Sequence, residues 1–178
     1  MIPRSAVLAA GLAAAAPVLA GVPEAVEPDR IPSYRLLQPD LAVGGQPAPE
    51  TLKHLNELGF RTVINLRTEK EGALDERSVI EAQGLRYVWI PVTPETFSRG
   101  DAEAARKVIE DPTAAPVLLH CASSNRVGGV WSVIQSLRGK AASEAEAAGR
   151  DAGLRSPQMI DAVRRILGVA APTTAPAP

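Results

Sequence analysis

The chemistry-bearing stretch is His120-Cys121-Ala122-Ser123-Ser124-Asn125-Arg126-Val127-Gly128-Gly129, in which the only cysteine of a 178-residue chain is separated from an arginine by four residues. A thiolate is a soft nucleophile that attacks phosphorus or sulfur. A guanidinium can fork onto two oxygens of an anion. If the stretch is a tight turn feeding a helix, its backbone N–H groups converge and the helix dipole adds partial positive charge, so the turn is an oxyanion cradle that also favours the thiolate. Ala122, Ser123, Ser124, Asn125 and Val127 would then line the cradle. Ser123 and Ser124 could donate hydroxyls to thiolate or oxyanion, and Asn125 tolerates left-handed backbone, so its part can be to shape the turn. Cys121 cannot form an internal disulfide, and with His54 and His120 it falls short of a structural zinc ligand set. No metal or organic cofactor is expected. A lone cysteine is most often a small buried hydrophobe, so its meaning depends on the elements around it.

Those elements alternate. Leu41-Ala42-Val43, Arg61–Leu66, Leu85–Val92 and Pro116–His120 read as strands, the last nearly all apolar and so covered on both faces. Between them lie helical patterns over Pro49–Leu58, Glu76–Ala82 and a stretch capped by Asp101 that runs to Glu110. After the cysteine segment Val127, Val130, Trp131, Ile134 and Leu137 fall on one helical face. Two further helices follow, one with Ser143 and Glu146 in capping-box spacing and one opened by Ser156-Pro157. The alternation predicts an α/β domain with a mainly parallel central sheet flanked by helices and a helical C-terminal part. In such sheets ligands bind beyond the carboxyl ends of the strands, where Cys121 falls.

Composition bounds the rest. A net charge of −1, with 19 basic and 20 acidic residues, gives no basic surface for nucleic acid. Residues 1–20 have the form of a signal peptide: Arg4, an apolar run from Ala6 to Ala16, and Val18-Leu19-Ala20 before the cut. The expectation is secretion, into a bacterial periplasm, with no stable membrane span after cleavage. Residues 21–32 are predicted to be a flexible segment, 33–168 the folded domain and 169–178 a disordered Pro/Ala tail.

The His-Cys, short loop, Arg pattern resembles the protein tyrosine and dual-specificity phosphatase superfamily. The closest resemblance is to the bacterial phosphatase-like group related to the domain beside β-lactamase-like hydrolases (DUF442). LAVGGQPAPETLKHLNELGFRTVINLRTEKE is similar to that group's opening strand, Gly-Gln-Pro turn, helix and Asn-Leu-Arg strand, and YVWIPV to the strand before its acid loop. The likeness runs from about Tyr34 to Leu167. It implies a cysteine-phosphatase fold, Cys121 as nucleophile, Arg126 as oxyanion binder, and His120 as a residue that orients and tunes the thiolate. Two departures stand out. Such loops usually hold five residues between Cys and Arg, and a Ser or Thr after the Arg, where this chain has Val127. The four-residue spacing is that of rhodanese-type sulfurtransferases.

The family also supplies an aspartic general acid after its third strand, and here Glu95 and Asp101 are the candidates, neither on the motif. Glu69 and Glu71, after the second strand, are placed to reach the same sheet edge and orient Arg126. Gln46, after two glycines, is a further candidate for that edge. The resulting expectation is a phosphoric monoester hydrolase acting on a phosphorylated protein or a small phosphoester. The alternatives are a sulfurtransferase whose Cys121 accepts sulfur from a sulfane-sulfur donor, and a catalytically silent fold that binds an anion or a partner. Oligomeric state is not encoded in any pattern here.

Overall fold

The structure, a computed structural model, describes residues 22–169. In chain order the elements are β1 (Arg35–Gln38), β2 (Leu41–Gly44), α1 (Pro49–Leu52), β3 (Thr62–Asn65), α2 (Ala73–Glu81), β4 (Arg86–Trp89), α3 (Arg99–Ile109), β5 (Val117–His120), α4 (Asn125–Leu137), α5 (Ala142–Asp151) and α6 (Pro157–Leu167). The sheet runs β1-β2-β5-β3-β4, with β1 antiparallel and the others parallel. This is the mainly parallel α/β architecture expected, and β5 lies at its centre.

Alternation along the strands sorts side chains into two cores. Val117, Leu119 and Cys121 join Leu41, Val43, Ile64 and Leu66 on the face covered by α3, α4 and α6. Leu118, Ala42 and Val63 face the other way, against Leu52, Leu55, Phe60 and Ile80. His120 has the parity of Leu118, so it turns from the cysteine's core toward α2. The predicted face of α4 is realised: Val127, Val130, Trp131 and Ile134 are buried in the first core. Each such apolar side chain stabilises the fold by roughly 1.5–3 kcal/mol. No described helix is long and apolar enough to cross a membrane.

Several boundaries differ from expectation. β1 was not anticipated, because its sequence is only half buried and lacks a clean alternation. α1 ends at Leu52, since Leu55 and Phe60 are buried by a succession of turns instead. α2 begins at Ala73, with a 3₁₀ turn over Glu69–Glu71 before it. Asp101 is not the cap of α3: Ser98 caps it, and Asp101 is the third helical residue, its carboxylate accepting from the Ser98 N–H at 2.9 Å. α5 starts before Ser143, at Ala142, and it is Glu144 that reaches back to the Ala141 N–H. Ser156 caps α6 as expected, accepting from the Met159 N–H. Part of the segment 21–32 is also not loose: Val22 and Ile31 are buried in the second core, and Tyr34 Oη donates to the Pro23 carbonyl at 2.6 Å. Residues 1–21 and 170–178, with the signal-like segment and the Pro/Ala tail, lie outside the described residues.

Candidate active site

β5 delivers Cys121 to the carboxyl edge of the sheet, where its N–H meets the Gly44 carbonyl at 3.4 Å. The loop then turns back along the Gly44-Gly45-Gln46 segment: Gly45 bridges Ser123, and the Gln46 N–H donates to the Ala122 carbonyl at 3.1 Å. Ser124 takes the left-handed conformation, at φ 66°. Asn125, which tolerates that conformation, is instead the first residue of α4. The first bond of the α4 ladder runs from the Gly128 N–H to the Ser124 carbonyl. The N–H groups of Asn125, Arg126 and Val127 therefore precede the ladder, as the anion-binding end of a helix requires.

The loop is set by its contacts with the α5–α6 junction. Ser124 Oγ donates to the Ala152 carbonyl at 3.0 Å. Asn125 Oδ1 accepts from the N–H groups of Arg155 and Ser156 at 2.8 and 2.9 Å, and its Nδ2 donates to Ser156 Oγ. Gly153, at φ 115°, lies where a Cβ would stand 2.9 Å from Ser124. A Cβ on Gly128 would come within 2.2 Å of the Leu154 backbone, so α4 reaches its neighbours only without a side chain there. The Ser124 hydroxyl is thus occupied away from the cradle and the Val127 side chain is buried in the core. Of these residues only the backbone amides remain for an anion. Ala122 and Ser123 are exposed at the mouth.

Arg126 is held from three sides. Nη1 and Nη2 donate to the two Glu71 oxygens at 2.8 and 2.6 Å, and Nη1 also approaches the Leu66 and Val92 carbonyls at 3.3 and 3.2 Å. The arginine hydrogen bond holds the Glu71 carboxyl down at about 2 against the effect of burial, helped by the N–H and hydroxyl of Thr68. Burial works against the Arg126 charge, but Glu71 and the neighbouring Cys121 sulfur raise its pKa. Of the two acids expected to orient Arg126, Glu71 does so. Glu69 is exposed and shows no side-chain partner among the described residues.

Beneath Cys121 lies a second cluster. His120 is fully buried, and burial pushes its pKa down to about 3, so its ring is neutral. Among the described residues neither ring nitrogen has a hydrogen-bond partner, and Nε2 stands 3.6 Å from a Glu76 oxygen. Glu76, on α2, pairs with Arg67 and accepts from Asn65 Nδ2 at 2.9 Å. Burial raises the Glu76 pKa, opposed by Arg67 and the side chains around it. Arg67 Nη1 also donates to Gln46 Oε1 at 2.6 Å, so Gln46 does reach this edge. Tyr87 accepts from Asn65 and donates to the Ala73 carbonyl, which closes the network.

The acid candidates are less well built. Glu95 is exposed, and a hydrogen bond from Thr93 lowers its pKa, the wrong direction for a proton donor. Asp101 is engaged by Ser98 in the cap of α3. Among the described residues no group of three or more His, Cys, Asp or Glu could hold a metal ion. Sequence reasoning missed Arg67 and Glu76. The one available signal was Arg67 directly after the strand Arg61–Leu66, at the same sheet edge as Gln46.

The phosphatase-like domain of the β-lactamase hydrolase-like proteins matches residues 33–138. A β-lactamase hydrolase-like protein of Xylella fastidiosa is 29% identical over 105 residues, 56% of this chain and 24% of that protein. The match thus spans about a quarter of the relative's length. Among solved structures, a DUF442 protein of Shewanella putrefaciens superposes with a TM-score of 0.60 at 21% identity, covering 78% of this chain and 90% of the other. The catalytic core of the PP-IP phosphatase SIW14 of S. cerevisiae, in complex with citrate, superposes at 0.58 with 14% identity, covering 75% and 85%. These likenesses establish a cysteine-phosphatase-like fold.

Proposed function

The chain belongs to the phosphatase-like domain family of the β-lactamase hydrolase-like proteins, and from that premise we propose that it is a cysteine-dependent phosphoric monoester hydrolase. Cys121 Sγ attacks phosphorus, the ester P–O bond breaks, and the leaving oxygen departs with its electron pair. Water then attacks the phosphocysteine, freeing phosphate and restoring the sulfur. The Arg126 guanidinium and the first-turn amides of α4 stabilise the charge that develops on the equatorial oxygens. The observation that carries this reading is the fork of Glu71 onto Arg126, which fixes the guanidinium beside Cys121 at a helix N-terminus. Neither Glu95 nor Asp101 is disposed as an acid, which favours esters whose leaving group is stable as an anion, such as aryl phosphates. The signal-like residues 1–20 support a periplasmic location.

The test is turnover of aryl phosphates by the chain from Gly21 under reducing conditions, beside Cys121→Ser. Turnover that disappears in the variant, competes with orthovanadate and steepens with leaving-group acidity supports the reading. Absence of turnover with a free thiol overturns it. The four-residue spacing favours a second reading, sulfur transfer, in which the Cys121 thiolate attacks the outer sulfur of thiosulfate, the thiosulfate S–S bond breaks, sulfite leaves with the electron pair, and Cys121 gains the mass of one sulfur as a persulfide.

A further inference from the structure

The Arg67–Glu76 pair reaches the two chain neighbours of Cys121, His120 directly and Ala122 through Gln46. On one side Glu76 faces the neutral His120 ring, which adjoins Cys121 and has two buried nitrogens without partners among the described residues. On the other Arg67 holds Gln46, whose N–H binds the Ala122 carbonyl on the far side of Cys121. The pair is itself held: Asn65 binds Glu76, Trp89 Nε1 donates to the Arg67 carbonyl at 2.7 Å, and Asn65 Oδ1 accepts from the Arg67 N–H. The side chains of Arg67 and Glu76 are only 14% and 9% exposed. A buried ion pair is seldom retained for stability alone, since apolar residues of the same volume do as well or better.

We propose that Glu76, through its pairing with Arg67, is the positioning residue of the Cys121 loop: it backs the His120 ring at 3.6 Å and, by way of Arg67 and Gln46, fixes Ala122 from beside. Its role is to keep the sulfur aimed at the cradle. The proposal rests on Cys121 being the reacting atom, but its test does not require phosphate hydrolysis.

Cys121 is the chain's only cysteine, so the rate of iodoacetamide alkylation reports on this sulfur alone. The experiment compares the full chain with the double variant Arg67→Met/Glu76→Leu, which replaces both charges by apolar groups and so avoids a stranded buried charge, and with Glu76→Asp. Thermal melting first shows that each is folded. Cys121 is 1% exposed, so lost aim slows alkylation and lost cover speeds it; the expected rate departs from wild type by about tenfold in the double variant and about threefold in Glu76→Asp. On an aryl phosphate kcat falls by the same factors with KM unchanged, which a general loosening of the fold would not produce. An alkylation rate within twofold of wild type in either folded variant overturns the proposal. If only Glu76→Asp folds, its rate decides alone. Should wild type alkylate but hydrolyse nothing, the phosphatase reading falls while the alkylation ratios still decide the positioning role.

Discussion

Two arginine–carboxylate pairs flank the cysteine loop, and they are built on opposite principles. At the mouth, Glu71 is about one-third exposed and meets Arg126 with both oxygens. Below the loop, Glu76 is nearly enclosed and meets Arg67 amid amide and phenol groups. Hydrogen bonding dominates at the mouth and drives the Glu71 carboxyl down; desolvation dominates below and drives the Glu76 carboxyl up. The same two residue types thus serve as a steady anchor in one place and a costly, shape-dependent fixture in the other.

The contrast breaks most visibly below the loop. Glu76→Leu alone strands the Arg67 charge, and chemical denaturation should show a loss of about 3–5 kcal/mol. Next, Arg126→Lys keeps the charge but loses the fork, and kcat/KM on an aryl phosphate should drop by about 10²–10³-fold with little change in melting temperature. At the mouth, Glu71→Gln should destabilise by only about 1 kcal/mol, because water already screens that pair.

Melting curves across pH sharpen the comparison in sign. The Glu71 carboxyl has a folded pKa below its ordinary value of 4.5. Its stabilisation is therefore complete above pH 4.5 and is lost as pH falls toward 2, and the gap between wild type and Glu71→Gln should close over that window. Glu76 is raised, so the folded state holds its proton more tightly than the unfolded chain. The stability of wild type relative to Glu76→Gln should then fall as pH rises above 4.5. The smallest effect belongs to Glu95→Gln, whose group is exposed and already low in pKa; its kcat should stay within about twofold.

How much of this was legible in the chain follows from how each contact is encoded. The cysteine loop, the apolar face of α4 and the Ser156-Pro157 start of α6 are local patterns, and they stand where spacing placed them. The Glu71 contact crosses 55 residues and was available only as one of two acids on a plausible loop. Glu76 read as no more than the start of a helix, because a buried pair between a strand end and a helix leaves no period behind. The left-handed residue fell on Ser124 and not Asn125, because Asn125 spends its amide on the α5–α6 junction and must be helical to do so. Corrections to the caps of α3 and α5 are of the same kind: a carboxylate three residues into a helix and one at its start differ only in geometry.

The strand order carries one last consequence, for the order of assembly. β2 and β3 are not bonded to each other in the finished sheet; each bonds to β5, which the chain supplies last of the five. The two halves, the pairs β1-β2 and β3-β4, join only through β5, and contacts of such long sequence separation form late. Gly44, Leu66 and Gln46, which come from those halves, find their partners on Cys121, His120 and Ala122 only when β5 enters the gap. The loop around Cys121 is therefore complete only once β5 lies between the two halves.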